Sequence, residues 1–399
     1  MKNIRRKKFM IYFISIVMSL ILLAFVVIFI ASGVFSKQKY LDPWKKSYSQ
    51  KLNDPRLKLV SHGLLASNSH NMQPWKIKFE SKDVFYLFVD SQRLTKQVDP
   101  YGRQTMITQG TFLENVKIAG EELGYKTDID LFPEGEYDEQ NLIDSMNKKP
   151  VAKIKVTKIK PKDSTLYDYI FSPDTNRGLY EKKKLSEDEV RKLIGINTYS
   201  DLDIRIFQDE DNKKILGNYA IEGAKIESNI HRINEETKNI FRSNEYEKNK
   251  YRYGYSVEGQ GTSGIMKYIM QGLITLVPSI NSEGVSANMF VKSTKKAVEN
   301  TPAYAMIISK NNSRIQQVKT GMLYTRLILS AHSLGFAMQP LSQVLEEYSE
   351  MEEQYNKIHD QYAKEGTTIQ LLVRIGKPKE KFPQSMRRDM KELVRFNWK

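Results

Sequence analysis

Residues 66–75 read A-S-N-S-H-N-M-Q-P-W, and how this stretch is read decides the fold. Ser67, Asn68, Ser69, His70, Asn71 and Gln73 crowd polar side chains together before Pro74-Trp75 closes the run. A proline pushes the residue before it out of the helical region, so Gln73 is expected to be extended. Upstream, Leu57, Leu59, Val60, Leu64 and Leu65 form an amphipathic segment; downstream, Trp75, Ile77 and Phe79 alternate as in a strand. The local order is helix, polar loop, strand. A loop at the end of a helix and leading into a sheet can hold a polar planar ligand. It can also be an Asn/Ser-rich turn that only caps the helix, and these residues alone leave both readings open.

A chain of 399 residues can form two similar units or one extended domain, and 40% hydrophobic with 11% aromatic content argues for a folded protein. The net charge of +15 raises nucleic acid as a partner, yet Lys and Arg stand beside Glu and Asp along the whole chain. A solvated basic surface facing anionic lipid fits that distribution better, and no nucleic-acid partner is expected. The absence of cysteine removes disulfides, thiolate catalysis and Cys-ligated metals together. His62 and His70 have no third ligand nearby, and His231, His332 and His359 are isolated, so no metal site is expected. There is no Gly-x-Ser-x-Gly elbow.

Residues 1–8 form a basic tail (Lys2, Arg5, Arg6, Lys7, Lys8) ahead of an uncharged run at residues 9–35. That run exceeds the roughly 20 residues needed to cross a bilayer and the roughly 7–15 of a cleavable signal core. A single-pass transmembrane signal anchor is favoured, although Ala31-Ser32-Gly33 is small enough for cleavage. The basic tail favours N-inside, with the remaining chain outside the cytoplasm; Lys37, Lys39, Lys45, Lys46 and Lys51 dilute that bias. Residues 36–55 read as a polar linker.

Beyond the polar loop, residues 84–89 read as a strand and Asp99-Pro-Tyr-Gly102 as a turn. A helix is expected over 105–123, ended by Gly124 as a left-handed cap, then a short strand at 129–132. Residues 151–160 alternate Lys with Ile and Val, which reads as a half-buried strand with a lysine edge. Pro161 marks a boundary between a first half, 56–160, and a second half, 161–399. Ser186 with Glu189 makes a capping box, followed by a strand at 204–207 and a long helix at 214–241. Residues 242–264, rich in Tyr, Asn and Gly, read as a long loop, either a flexible linker or a cover over a site. The apolar stretch 265–277 contains Lys267 and is too short to span a membrane. Strands at 302–309 and 369–375 flank a helix at 315–334, and Arg387-Arg388 precede an amphipathic tail ending in Phe396 and Trp398.

Two of these helices align. Gly110-TFLENVKIAGEELG-Tyr125 lies against Gly321-MLYTRLILSAHSLG-Phe336, with apolar pairs at Val116/Leu327, Ile118/Leu329 and Leu123/Leu334. Each is followed by a strand pattern, as expected of a duplicated unit, and two such units side by side would enclose a cleft.

Ser69-His-Asn-Met-Gln-Pro-Trp75 resembles the Pro-Ser-Ser-x-Asn-x-Gln-Pro-Trp loop that borders FMN in the nitroreductase superfamily; His before Asn is similar to its Acg-like branch. Asp99-Pro-x-Gly-Arg103, the Gly110 helix, Thr175-Asn-Arg177, the Gly321 helix with Arg326, and Arg387-Arg388 follow in the family's order. The resemblance covers about residues 55–395. It implies an α+β fold: a fused pseudo-dimer of two sheet-plus-helix units behind the transmembrane helix, one chain supplying both halves. By position, Ser69 and Asn71 would meet the flavin ring and ribityl chain, with Gln73 in the same motif. Thr175, Arg177, Arg387 and Arg388 would meet the phosphate. Ser67-Asn68 departs from the usual Pro-Ser, and Ser172-Pro-Asp174 replaces the leading Arg of the phosphate motif. The implied activity is an FMN-dependent oxidoreductase passing hydride, from a donor such as NAD(P)H, to an unidentified small-molecule acceptor. No catalytic side chain is needed, because the cofactor carries the chemistry. The alternatives are a protein that sequesters FMN under the 242–264 cover, or a membrane-tethered interaction module. NAD(P)H is scarce outside a membrane, which favours these alternatives for an external domain.

Overall fold

The computed structural model describes residues 2–394 except Asp174, so Asp174, Phe396 and Trp398 lie outside the described residues. Helix α1 (Lys2–Ser32) contains a stretch, Ile4–Ser32, long and apolar enough to cross a membrane, with mean hydropathy 3.2. Residues 36–55 are not an open linker. A 3-10 turn (Lys39–Trp44) buries Tyr40 and Trp44, and α2 (Lys46–Gln50) follows.

The first half runs α3 (Pro55–Gly63), β1 (Trp75–Phe79), β2 (Val84–Val89), α4 (Arg103–Leu123), β3 (Tyr125–Leu131), α5 (Leu142–Lys148) and β4 (Ala152–Lys158). Its sheet is antiparallel in the order β1-β2-β4-β3. The second half opens with α6 (Glu187–Gly195) and β5 (Leu202–Phe207), and is then interrupted. The interruption comprises α7 (Glu210–Ser228), α8 (His231–Asn239), α9 (Glu245–Tyr251), α10 (Gly264–Leu276) and α11 (Glu283–Glu299). The unit resumes with β6 (Ala303–Ser309), α12 (Arg314–Ser333), β7 (Ala337–Pro340), α13 (Glu352–Tyr362) and β8 (Thr368–Gly376). Its sheet order is β5-β6-β8-β7, again antiparallel. Apart from the insertion, the two halves share one element order and one topology.

Strands β6 and β8 are buried at every position because helices cover both faces of their sheet, and they read as continuous apolar runs. In the first sheet β4 alternates buried and exposed residues, so one face meets solvent. It is not an edge strand, however. β2 and β3 pair on either side of it, and its lysines line an open face. The expected helix at 214–241 breaks between α7 and α8, where Ile230 turns to extended backbone and is buried beside Val98 and Met351.

The halves meet through α4 and α12. A Cβ on Gly110 would stand 1.9 Å from the Val318 carbonyl oxygen, and one on Gly321 would stand 1.8 Å from that of Ile107. Only glycine permits this approach, and the reciprocal contacts are those of a twofold interface. The first residue of each helix then reaches into the opposite half. Arg103 donates to the carbonyls of Gln370 (2.7 Å) and Leu345 (2.5 Å), and Arg314 pairs with Glu139. After β8 the chain returns to the first half, where α14 (Met390–Val394) adds Met390 and Leu393 to the core containing Trp44 and Trp75.

Candidate functional site

The loop between α3 and β1 is backed by α4. Thr111 Oγ1 donates to the Ser67 carbonyl at 2.6 Å, Gln109 to that of Pro74 at 3.0 Å, and the Trp75 indole to that of Thr108 at 3.2 Å. His70, Asn71 and Gln73 all have positive φ, at 49°, 53° and 52°. Non-glycine residues rarely adopt this conformation, and it persists only where the surroundings enforce it. Gln73 is thus not extended as its proline neighbour implied. Asn68 Oδ1 accepts its N–H at 2.8 Å while Arg388 holds its carbonyl at 3.0 Å, and the two bonds fix the turn.

Arg387 and Arg388 supply much of that enforcement. Both are buried, at 0% and 2% exposure. Arg387 donates to Asn71 Oδ1 and to the carbonyls of Leu65, Ala66 and Met386, with its guanidinium stacked 4.5 Å from the Trp44 ring. The Arg388 amide donates to Gln73 Oε1, and its guanidinium lies 3.7 Å from Asp90. These donors point at main-chain carbonyls and side chains of the loop rather than into open space.

A segment of the insertion closes over the loop. Gly254 N–H donates to the Asn71 carbonyl at 3.0 Å, and Asn71 Nδ2 returns a bond to the Gly254 carbonyl at 2.9 Å. Gln73 Nε2 donates to the Arg252 carbonyl at 2.9 Å. Residues 242–264 are therefore not a structureless loop: α9 and a 3-10 turn (Val257–Gln260) order them. Gly254 has φ +81°, and a Cβ there would stand 1.9 Å from the Ile240 carbonyl oxygen, so the close approach requires glycine.

The second half contributes the 175–178 turn. Asn176 is buried and pins it, donating from its amide to Met338 and from Nδ2 to Glu380, while Arg374 donates to the Asn176 and Gly178 carbonyls. Thr175 is half-buried and Arg177 exposed. Arg177 donates to the Gly259 carbonyl of the cover at 3.1 Å. Its charge also reaches His70, whose pKa falls to about 4, first through burial and then through Arg177. His70 is thus neutral at pH 7, and loop and turn are both bonded to the 242–264 cover.

Sequence reasoning missed the acids behind the loop. Ser69 Oγ donates to Gln104 Oε1 at 2.9 Å, and Gln104 Nε2 donates on to Glu346 at 3.4 Å. Glu346 and Glu227 are both buried, and among the described residues neither Oε2 accepts a hydrogen bond. Burial raises the pKa of Glu346, and the neighbouring Glu227 raises it further; burial lifts Glu227 to about 7. One signal was available in the sequence: Glu227 continues the buried Leu216, Ala220, Ala224 face of α7, where a carboxylate is anomalous.

Thr175 and Arg177 supply a hydroxyl and a guanidinium that suit a flavin phosphate chemically, whereas the amides of Ser69, Asn71, Met72 and Gln73 are bonded within the protein. Between the halves lies a crevice of about 20 Å³, lined by Ser67, Asn115, Ser172, Thr325 and His332 among others. A ligand of cofactor size needs a pocket of roughly 300 Å³ or more. A larger hollow of about 710 Å³ is an open surface groove at Ile226, Ile230, Arg232 and Glu350, lined by residues outside the loop and turn.

No protein-family model matches the chain, and no curated protein matches it. Solved structures do. A nitroreductase-like family protein from Bacillus cereus aligns at TM-score 0.32 and 11% identity, over 60% of this chain and 100% of that one. A nitroreductase with bound FMN from Desulfitobacterium hafniense aligns at 0.36 and 10%, over 59% and 99%. The FMN-dependent nitroreductase NfnB from Mycobacterium smegmatis, in complex with NADPH, aligns at 0.35 and 12%, over 58% and 98%.

Proposed function

We propose that the chain is a membrane-anchored, nitroreductase-like FMN-binding protein with oxidoreductase activity toward a small-molecule acceptor. One observation carries the reading: in a duplicated α+β fold, the 242–264 cover is bonded both to Asn71 and Gln73 of the Ser69–Gln73 loop and to Arg177 of the Thr175–Arg177 turn. In this proposal Ser69 and Thr175 face the cofactor and Arg177 meets its phosphate. Asn71, Gln73, Arg387 and Arg388 serve it by fixing the loop, since their polar groups hold the chain. When bound, FMN would supply hydride acceptance and delivery. Ser69, held by Gln104 that in turn donates to Glu346, would present its hydroxyl oxygen to the bound group.

A second reading, storage of FMN without turnover, draws on the cover bonded to Asn71 and Gln73. Absorbance of the purified full chain in detergent tests both. A flavin spectrum, or uptake of added FMN, is expected; a colourless protein that takes up none refutes both readings. Anaerobic bleaching by NADPH or NADH supports turnover, and a flavin that stays oxidised supports storage.

A further inference from the structure

Helix α10 has its polarity reversed. A surface helix ordinarily buries an apolar stripe and shows water its polar face. Here the one charged residue, Lys267, is turned inward at 12% exposure between Glu245 and Glu258, and Gln271 is fully buried, donating to Glu245 at 3.1 Å. Ile265, Met266, Leu276, Val277 and Ile280 face outward, and Met289 of α11 is exposed too. A contiguous face of this kind marks an interaction surface.

Its position identifies what covers it. A Cβ on Gly272 would stand 2.2 Å from the Ile28 carbonyl oxygen, so α10 packs directly on the last turns of α1. Gly33 lies against the Tyr246 ring, whose hydroxyl donates to the Ile30 carbonyl at 3.4 Å. Counted from Phe9 at about 1.5 Å per residue, a hydrocarbon core of about 30 Å ends near Ile28. The crossing of α10 and α1 is therefore at the membrane boundary. Phe35, 85% exposed, and Tyr246, 54% exposed, stand just beyond it, where aromatic residues anchor proteins at the interface.

We propose that α10 and the turn after it lie in the boundary layer of the leaflet from which α1 emerges, with their apolar side chains among the acyl chains. The inference rests on the reading of α1 as a membrane span. Under it, α1 is not a free tether: the domain has one orientation to the bilayer, with α10 sunk about 5–10 Å as interfacial helices are. The buried network of Tyr40, Glu245, Lys248, Glu258 and Lys267 seats this helix on the cover and on the segment after α1.

The cysteine-free chain allows a direct test. Single variants Ile265→Cys, Leu276→Cys, Leu20→Cys and Asp360→Cys, all at exposed positions, are labelled with a fluorophore in the full chain and placed in phosphatidylcholine vesicles. Labels at 265, 276 and 20 should lose most emission to brominated acyl chains and resist aqueous iodide, while 360 behaves oppositely. If 265 and 276 follow 360 while 20 stays lipid-quenched, the proposal fails and the membrane reading stands. If iodide also reaches 20, both fail. Self-quenching at 276 without bromine quenching shows a second copy on this face and overturns the proposal.

Discussion

The contact of Gly110 with Gly321 predicts how the halves are held together. Replacing Gly321 with Ala puts a methyl 1.8 Å from the Ile107 carbonyl oxygen, where ordinary contact begins at 3.4 Å. The obstacle is helix backbone and cannot rotate away, so α4 and α12 must part. Overpacking of this kind costs about 1–3 kcal/mol or more, against about 1 kcal/mol gained in helix propensity from Gly to Ala. Because the obstacle is backbone the cost stands at the upper end, about 3 kcal/mol, so a net loss of about 2 kcal/mol follows, or in a chain of this size a melting temperature lower by about 2–3 °C. Gly110→Ala meets the Val318 carbonyl in the same way and should cost the same. One separation of the helices relieves both clashes, so the double variant should cost little more than either single, a coupling of about 2 kcal/mol. Circular dichroism melts of the full chain in detergent measure all three. Additive losses, or single variants as stable as the parent, would refute the twofold packing.

Other consequences are more local. Arg387→Ala leaves the Leu65 carbonyl without its donor, at roughly 1–3 kcal/mol for a buried acceptor, while the Ala66 carbonyl keeps Asn68 Nδ2; the variant should both lower the melting temperature and release bound flavin. Arg387→Lys should not rescue it, because one ammonium cannot reproduce the fork; unchanged flavin affinity in the Ala variant would remove the loop from the site. Glu227 has its pKa raised from 4.5 to about 7 in the folded chain, so the native state binds a proton that the unfolded state releases. Stability should therefore be greatest below pH 4.5 as far as this group is concerned, and fall as pH rises toward 7, by on the order of 3 kcal/mol in total. Glu227→Gln should flatten that slope in denaturation curves taken at several pH values; an unaltered slope would show that Glu227 is charged in the native state.

Much of the fold was legible because local rules and global packing agree. The Ser186–Glu189 capping box, the left-handed Gly124 and the apolar runs of β6 and β8 each depend on neighbours in sequence or on full burial. The equal spacing of Gly110 and Gly321 to their Leu-Gly-aromatic ends also announced the duplication, because a helix crossing at glycine imposes the same residues twice. What was not legible depends on distant partners. The left-handed Gln73 is enforced by Arg388, far along the chain, and overrides the proline rule. The lysines of β4 resembled an edge because sequence cannot say that β3 pairs outside it. The burial of Arg387 and Arg388 was not legible because a charged pair carries no mark of it until Trp44, Leu65 and Gln73 are placed around it.

Duplication ordinarily gives two sites, yet the halves have diverged where a site would form. Between α3 and β1 the first half has residues 64–74 with the Asn-x-Gln-Pro motif; between α6 and β5 the second has only I-N-T-Y-S-D, residues 196–201. At the same distance ahead of α3 as Thr175–Arg177 is ahead of α6, the first half has Pro43-Trp44-Lys45, where Trp44 is buried in the core and Lys45 pairs with Asp42 at 2.6 Å. Among the described residues the helical insertion lies between β5 and β6, and its Arg252 and Gly254 close over Gln73 and Asn71 of the first half. One half thus keeps the loop, the other keeps the turn and the cover, and each has lost the reciprocal part. Fluorescence titration with FMN should saturate at one flavin per chain. Saturation at two would mean that the 196–201 loop binds flavin with none of the motif residues, and the assignment of the motif to the site would fail with it.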